Sequence, residues 1–302
     1  MGRLISAEFR KILTTKLWWV LLIPTVAVAL LWSWGGTALL SRLINGVADS
    51  GAFQRADFNI AAAPWSLLLF ARTINISVIF PMVFGALALS SEITRKTITT
   101  SYLTASSRGS VLAGKVVTYT VWGLLYGLVV SGVTSLGLLL GSGSAQLPDA
   151  QGWSLMFLAG VVASLLWTLL GLGVGAIVGN TVATLITLLV YTLLVENVIG
   201  LLLGFQLPDS RLPGVLVNGS ADGMTGATAA RLIVDKLAAL YQSSNLGEVI
   251  SASDRQRVTD LVAAAAGARG AFDWWASGLI FAGWTAVFVG VGWLVSKSRD
   301  IT

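Results

Sequence analysis

Ser91-Glu92-Ile93-Thr94-Arg95-Lys96-Thr97-Ile98-Thr99-Thr100-Ser101-Tyr102-Leu103-Thr104, running on through Ser107-Arg108 to Lys115, is a polar and basic stretch held tightly between two apolar runs. Before it lies the hydrophobic segment Ser66 to Leu89, and after it lies Val116 to Leu140. Each run is long enough for a helix to cross a bilayer core. The stretch therefore reads as a loop between two membrane spans, and its cations place it on the cytoplasmic side. Any inside loop is basic, so charge alone says no more than that. The wealth of Ser and Thr adds a second reading, a surface that a soluble partner grips.

The bulk composition agrees. The chain has 302 residues, of which 55% are hydrophobic and only 11% charged, and its mean hydropathy is +0.82. A soluble domain needs far more polar surface. Cysteine and histidine are both absent. That excludes disulfides, thiolate chemistry, imidazole zinc sites and histidine acid–base work, so neither a catalytic residue nor a metal site is expected. The net charge of +5 is unevenly spread and does not signal nucleic-acid binding.

Taken in order, residues 2–16 are basic, with Ile5, Phe9, Ile12 and Leu13 on one helical face and Arg3, Arg10 and Lys11 away from it. That pattern suits a helix in the membrane interface over residues 1–16, or simply a basic flank to the first span. The first span falls within Leu17 to Leu40, too long for a signal-peptide core, with Trp18, Trp19, Trp32 and Trp34 near its ends. Residues 41–63, with Arg42, Asp49, Arg55 and Asp57, go outside. The second span, Trp65 to Leu89, contains Arg72 near its outer end and Pro81, which should kink it. The third span, Val116 to Leu140, carries Gly123, Gly127, Ser131 and Ser135 at four-residue intervals. The fourth, Trp153 to Val178, carries Gly171 and Gly175, with Gly179 beyond. Such small-residue stripes let helices approach closely. Asn180-Thr181 makes a tight inner turn with Asn180 as a helix cap. The fifth span, Val182 to Gly204, holds Glu196 beside Asn197. A long polar segment follows, broken by Pro208, Pro213 and glycines. Within it Ala227 to Leu240 and Asp254 to Ala266 read as helices, the second capped by Ser253. The sixth span is Trp274 to Val295.

Six spans with both termini inside satisfy the positive-inside rule. The inner segments hold Arg3, Arg10, Lys11, Lys16, Arg95, Lys96, Arg108, Lys115, Lys297 and Arg299 against the acids Glu8, Glu92 and Asp300. The expected fold is all-α: a single polytopic transmembrane domain over 1–302, with an interfacial helix (1–16), a cytoplasmic loop (92–112) and a helical extracytoplasmic segment (205–273).

Several short stretches look familiar in combination. They are Ala7-Glu8-Phe9-Arg10-Lys11, Thr14-Thr15-Lys16-Leu17-Trp18-Trp19, Ala63-Pro64-Trp65, Ser91-Glu92, Thr97-Ile98-Thr99, Leu103, Ser107-Arg108, Lys115, Val195-Glu196, Arg211-Leu212-Pro213-Gly214 and Arg299-Asp300-Ile301. In this order, together with six spans, the chain resembles the permease subunits of type 2 ABC exporters of actinobacterial type. The resemblance implies a bacterial cytoplasmic-membrane protein with both termini cytoplasmic, in contact with membrane lipid. It implies a pair of permease chains, homo- or heterodimeric, over two copies of a cytoplasmic ABC ATPase subunit. ATP and magnesium would bind that partner, and no cofactor this chain. The loop between spans two and three would be the main coupling helix, which makes Glu92, Thr97, Tyr102, Leu103, Arg108 and Lys115 candidate coupling residues. Spans two and five would line the pathway, which makes Arg72, Pro81, Glu196 and Asn197 candidate gate residues. Gly123, Gly127, Gly171 and Gly175 are candidates for helix packing. The stretch 222–272 is longer and more polar than the re-entrant helices of a minimal member, as an extracytoplasmic cap would be.

A secondary transporter or channel is the rival class. Such proteins carry several intramembrane charges, whereas here Glu196 is the only acid and Arg72 the only base well inside a span. A signalling or immunity complex on the same scaffold would look identical in sequence. Counted from Val182 at about 1.5 Å per residue, Glu196 lies roughly 21 Å along a core about 30 Å thick. A carboxylate there needs a partner, water or a proton. Arg72 and the main-chain amides near Leu212 to Val215 are the two candidate partners.

Overall fold

The computed structural model describes residues 2–49, 59–104, 107–143, 146–207, 210–243 and 251–298. Arg55, Asp57, Pro208 and the closing Arg299-Asp300-Ile301 lie outside the described residues. Those described are helical apart from short turns, with no strand among them. Helix α1 is Gly2–Thr14 and α2 is Leu17–Ala48. A single 3-10 turn, Ile60–Ala62, precedes α3 (Ser66–Ser77) and α4 (Ile79–Thr94). A short α5 (Ile98–Thr104) leads to α6 (Arg108–Gly141) and α7 (Ala150–Val178). Then come α8 (Thr181–Val190), a π-turn (Tyr191–Val195) and α9 (Glu196–Gln206). A 3-10 turn, Leu212–Val215, leads to α10 (Val217–Ser243), α11 (Ala252–Ala265) and α12 (Trp274–Ser298). Six stretches are long and apolar enough to cross a membrane: Leu17–Ala48, Ser66–Thr94, Arg108–Gly141, Ala150–Val178, Thr181–Leu203 and Trp274–Ser298. The chain is thus a multi-pass helical protein.

Local chemistry sets the boundaries. Ser107 Oγ accepts the Ser110 amide at 3.1 Å and opens α6, and Asp149 Oδ1 accepts the Gly152 amide at 2.8 Å and opens α7. Gly179, at φ +70°, ends α7 in the left-handed conformation that glycine adopts without strain. Asn180 Oδ1 then accepts the Ala183 amide at 3.0 Å and starts α8, so spans four and five reverse within two residues. Span two is broken between α3 and α4. Pro81 has no N–H to give the Ser77 carbonyl, and the helix is interrupted at Val78, next to that carbonyl.

Spans two and four form the centre of the bundle, while spans one, five and six are peripheral and show long apolar faces outward. The central helices meet at glycine. A Cβ added at Gly171 or Gly175 would overlap the carbonyl oxygens of Met82 and Ala86 on α4. One at Gly127 would lie 2.7 Å from Val161 Cα, and one at Gly123 would lie 3.0 Å from Leu165 Cα. These glycines therefore pack helices within the chain. Near the α1 end an aromatic cluster fills the core: the Phe84 ring is 5.0 Å from Tyr119 and 5.3 Å from Tyr126.

Several boundaries differ from the sequence reading, among them the start of the third-span helix at Arg108 rather than Val116. Span one continues as helix to Ala48, past Leu40. Helix α11 is capped by Ser251 rather than Ser253, with Ser251 Oγ accepting the Asp254 amide at 3.1 Å. Helix α10 begins ten residues before Ala227. Its early glycines look like breakers, since each costs a helix about 1 kcal/mol. Here they are close-packing contacts: a Cβ at Gly223 would lie 2.5 Å from Ser277 Oγ, and one at Gly226 2.5 Å from Ala268 Cβ. As a result α10 is buried along most of its length against spans two, four and six, and α11 lies mostly exposed over it.

Candidate functional site

The polar chemistry gathers at the two ends of the bundle. At the α1 end, Lys115 is fully buried in α6, and its ammonium donates to Glu8 Oε2 at 2.9 Å and to Glu92 Oε1 at 2.6 Å. Lys11 also donates to Glu92 Oε1. Two lysines and two glutamates thus tie α1 to the end of span two and the start of span three. Partial burial, with the charge of Lys115 adding to it, pushes the Lys11 ammonium down to about 8. It stays protonated at neutral pH and keeps its pair. Of the candidate coupling residues, Glu92 and Lys115 are therefore internal.

The rest of that loop is built to project. The Thr97 amide donates to the Glu92 carbonyl at 3.0 Å, closing a turn in which Lys96 takes a positive φ of 57°. Ile98 is fully buried and anchors α5. Leu103, five residues on, is 83% exposed, a large cost for an apolar side chain facing water. Tyr102 is half-buried beside it under the Arg108 guanidinium, which stands 5.5 Å from the ring centroid. Arg108 Nη1 also donates to the Lys297 carbonyl at 3.1 Å, linking the loop to the end of span six.

At the opposite end the segment between spans five and six folds back onto span two. Glu196 is 5% exposed, and its Oε1 accepts the Gly219 amide, in the first turn of α10, at 2.9 Å. The position suits an anion, because the first amides of a helix lack internal partners and carry its positive dipole end. Gly219 is required there: a Cβ would overlap the Pro213 carbonyl oxygen. The partner of Glu196 is thus a main-chain amide four residues beyond Leu212–Val215, and Arg72 is used elsewhere.

Arg72 caps the other helix of the segment. Helix α11 ends at Gly267, φ +93°, with the Ala268 amide on Ala263 O at 2.8 Å and the Gly267 amide on Ala264 O at 3.0 Å. That is a Schellman ending, and it leaves the next two carbonyls open. Arg72 Nε donates to Ala265 O at 2.8 Å, and Asn75 Nδ2 reaches Ala266 O at 3.4 Å. Span two therefore completes the C-terminus of α11, with a cation at the negative end of the dipole.

Asn197 turns back on its own helix. The π-turn frees carbonyls just before Glu196, and Asn197 Nδ2 donates to Thr192 O at 3.0 Å and Leu193 O at 3.1 Å. Asn218 of α10 donates to the same Thr192 O at 2.6 Å. Pro81 acts through the break in span two and lines no cavity described here. Two cavities of about 230 and 140 Å³ lie between these elements and share Arg72, Asn197, Asn218 and Asp222 in their walls. Glu196 and Arg269 line the first, and Ile76, Ile79 and Met82 line the second. Burial drives the Asp222 carboxyl up to about 8, against the pull of Arg72 and with a smaller push from Glu196.

Sequence reasoning singled out Arg72, Glu196, Asn197, Glu92 and Lys115 but missed their companions. Glu8 was legible in retrospect as the lone acid of a basic helix. Asn75 was legible as a polar residue one turn from Arg72. Asp222, Asn218 and Arg269 carried no signal, because only the fold-back of α10 and α11 brings them to span two. Neither a protein-family model nor a curated protein sequence matches this chain.

Proposed function

We propose that the chain is the membrane-spanning permease subunit of an ATP-driven exporter of the ABC type 2 class, set in a bacterial cytoplasmic membrane with both termini in the cytoplasm. Two such chains, alike or different, form the pathway over two ATPase subunits that bind the ATP and magnesium. Helix α5 is the coupling element. The observation that carries this reading is Leu103, 83% exposed on a short helix whose other apolar side chain, Ile98, is fully buried. An exposed apolar tip beside an aromatic and an arginine is the composition of a protein contact centre. The Glu8–Lys115–Glu92–Lys11 cluster, buried except at Lys11, supports it further, since it ties α1 to the base of the loop. A push on α5 then reaches spans two and three together, and the glycine-packed seams between spans two, three and four pass it on.

The test is assembly. The chain should co-purify with an ABC ATPase, and the pair Tyr102→Ala and Leu103→Ala should lose that partner while still inserting in the membrane. Co-purification unchanged by the pair removes the coupling role from α5.

A second reading, secondary transport, draws on the outer cavity. Asp222 and Arg269 join Arg72 and Glu196 there, which doubles the charges available to a relay. Transport that needs an ion gradient but no ATPase decides for it.

A further inference from the structure

Arg72 on α3 and Asp222 on α10 line both outer cavities, yet they form no ion pair with each other or with any other described residue. The only hydrogen bond of Arg72 among the described residues uses Nε, so its two Nη nitrogens remain for the cavity. Glu196 Oε1 is engaged by Gly219, and the buried Oε2 makes no hydrogen bond of ordinary geometry, with the Tyr191 hydroxyl and the Asn218 amide nearby. Arg269 stands on the same wall as Glu196. Above the pH of about 8 at which Asp222 ionises, opposite charges line the same cavity walls without pairing, and nothing compensates their partial desolvation. A bare anion placed here meets the two acids, and a bare cation meets the two arginines. A molecule that carries both charges a few bonds apart satisfies all four. The adjoining second cavity is apolar on the side of Ile76, Ile79 and Met82, so the same molecule extends into a hydrocarbon part.

We propose that these adjoining cavities, which share four wall residues, bind a zwitterionic lipid with a primary ammonium, of the phosphatidylethanolamine kind. Its phosphate faces Arg72 and Arg269, its ammonium donates to Asp222, and the start of its acyl chain lies along Ile76, Ile79 and Met82. The primary ammonium matters because it brings N–H donors for a carboxylate, whereas a trimethylammonium brings charge alone. The site lies where span two meets both helices of the 206–271 segment, so an occupant contacts every element that Glu196 and Arg72 hold in place. The inference depends on the six helices crossing a bilayer and is independent of any ATPase.

The experiment uses the full chain, purified, delipidated and titrated above about pH 8, where Asp222 is ionised, with phosphatidylethanolamine, phosphatidylcholine or phosphatidylglycerol, and bound lipid is counted by native mass spectrometry. Phosphatidylethanolamine is expected to bind about tenfold tighter than either competitor, the effect of one charge-assisted hydrogen bond. Asp222→Asn keeps the shape of the side chain and should abolish that preference. Arg269→Gln, at an exposed position outside the helix-capping contacts, should weaken phosphatidylethanolamine and phosphatidylglycerol alike. The preference should also fade as the pH falls below about 8, because an ammonium must then displace a proton from Asp222, the carboxyl faced by Arg72 from α3, Glu196 from α9 and Arg269 beyond α11. Equal retention of the three lipids by the wild-type chain overturns the proposal, as does a preference that survives Asp222→Asn. Neither result touches the coupling role of α5, which assembly with the ATPase reads separately.

Discussion

The carboxylate of Glu196 accepts the main-chain amide of Gly219 at 2.9 Å, so an acid roughly two-thirds along span five holds the first turn of α10. The bond joins the fifth apolar helix long enough to cross a membrane to the segment packed over the end of the bundle. Arg72 makes the matching attachment at the C-terminus of α11. The two charges that stand out in the apolar spans thus serve opposite helix ends of one segment.

Glu196→Gln keeps an oxygen for the Gly219 amide, whereas Glu196→Ala leaves that amide unpaired. We expect Ala to cost about 1–3 kcal/mol and Gln clearly less, read as thermal unfolding in detergent. Under the exporter reading, Ala should also uncouple ATP hydrolysis from transport. Normal stability and coupling in Glu196→Ala would show the bond to be dispensable.

Lys115→Met removes the one fully buried cation between Glu8 and Glu92. Breaking such a cluster from one side costs about 3–5 kcal/mol. We expect that loss in a denaturation curve, together with faster hydrogen exchange across residues 2–14. Adding Glu92→Gln should recover part of it, because one of the stranded carboxylates is then neutral. Full additivity of the two changes would argue against a shared cluster.

Leu103→Ala by itself should leave the stability of the isolated chain unchanged, since an exposed side chain loses no core contact. Under the exporter reading it should weaken ATPase binding by about tenfold or more, the scale of an interface anchor. Affinity measured with the purified partner separates this from a folding defect.

The absence of cysteine allows a direct test of topology. Thr100→Cys on α5 and Ser253→Cys on α11 should react with a membrane-impermeant thiol reagent from opposite faces of sealed vesicles. Labelling of both from the same face removes the six-span arrangement.

Much of the fold was legible because bilayer crossing imposes a length and a composition on each helix. Six apolar runs, the Asn180 cap and the break near Pro81 follow from residues close together in the chain, where hydropathy and backbone chemistry act directly. The small-residue spacings at Gly123, Gly127, Gly171 and Gly175 marked surfaces of close approach but could not name the facing helix. That depends on which spans meet, and the tertiary structure resolves it as contacts with Val161, Leu165, Met82 and Ala86.

The charged sites were legible only in part. An apolar setting marks Glu196 and Arg72 as costly wherever they lie, so sequence alone singles them out. Their partners are main-chain groups at Gly219 and Ala265, which have no side-chain signature and sit 23 and 193 residues away. Glu92 and Lys115 looked like loop charges because their neighbours are polar, yet α1 folds over them and turns a basic loop into a buried cluster. Sequence by itself determined how many helices this chain can put across a membrane and which charges need a partner. Only the tertiary structure decided who the partners are, because burial and helix-end electrostatics belong to the packed arrangement and not to any local stretch.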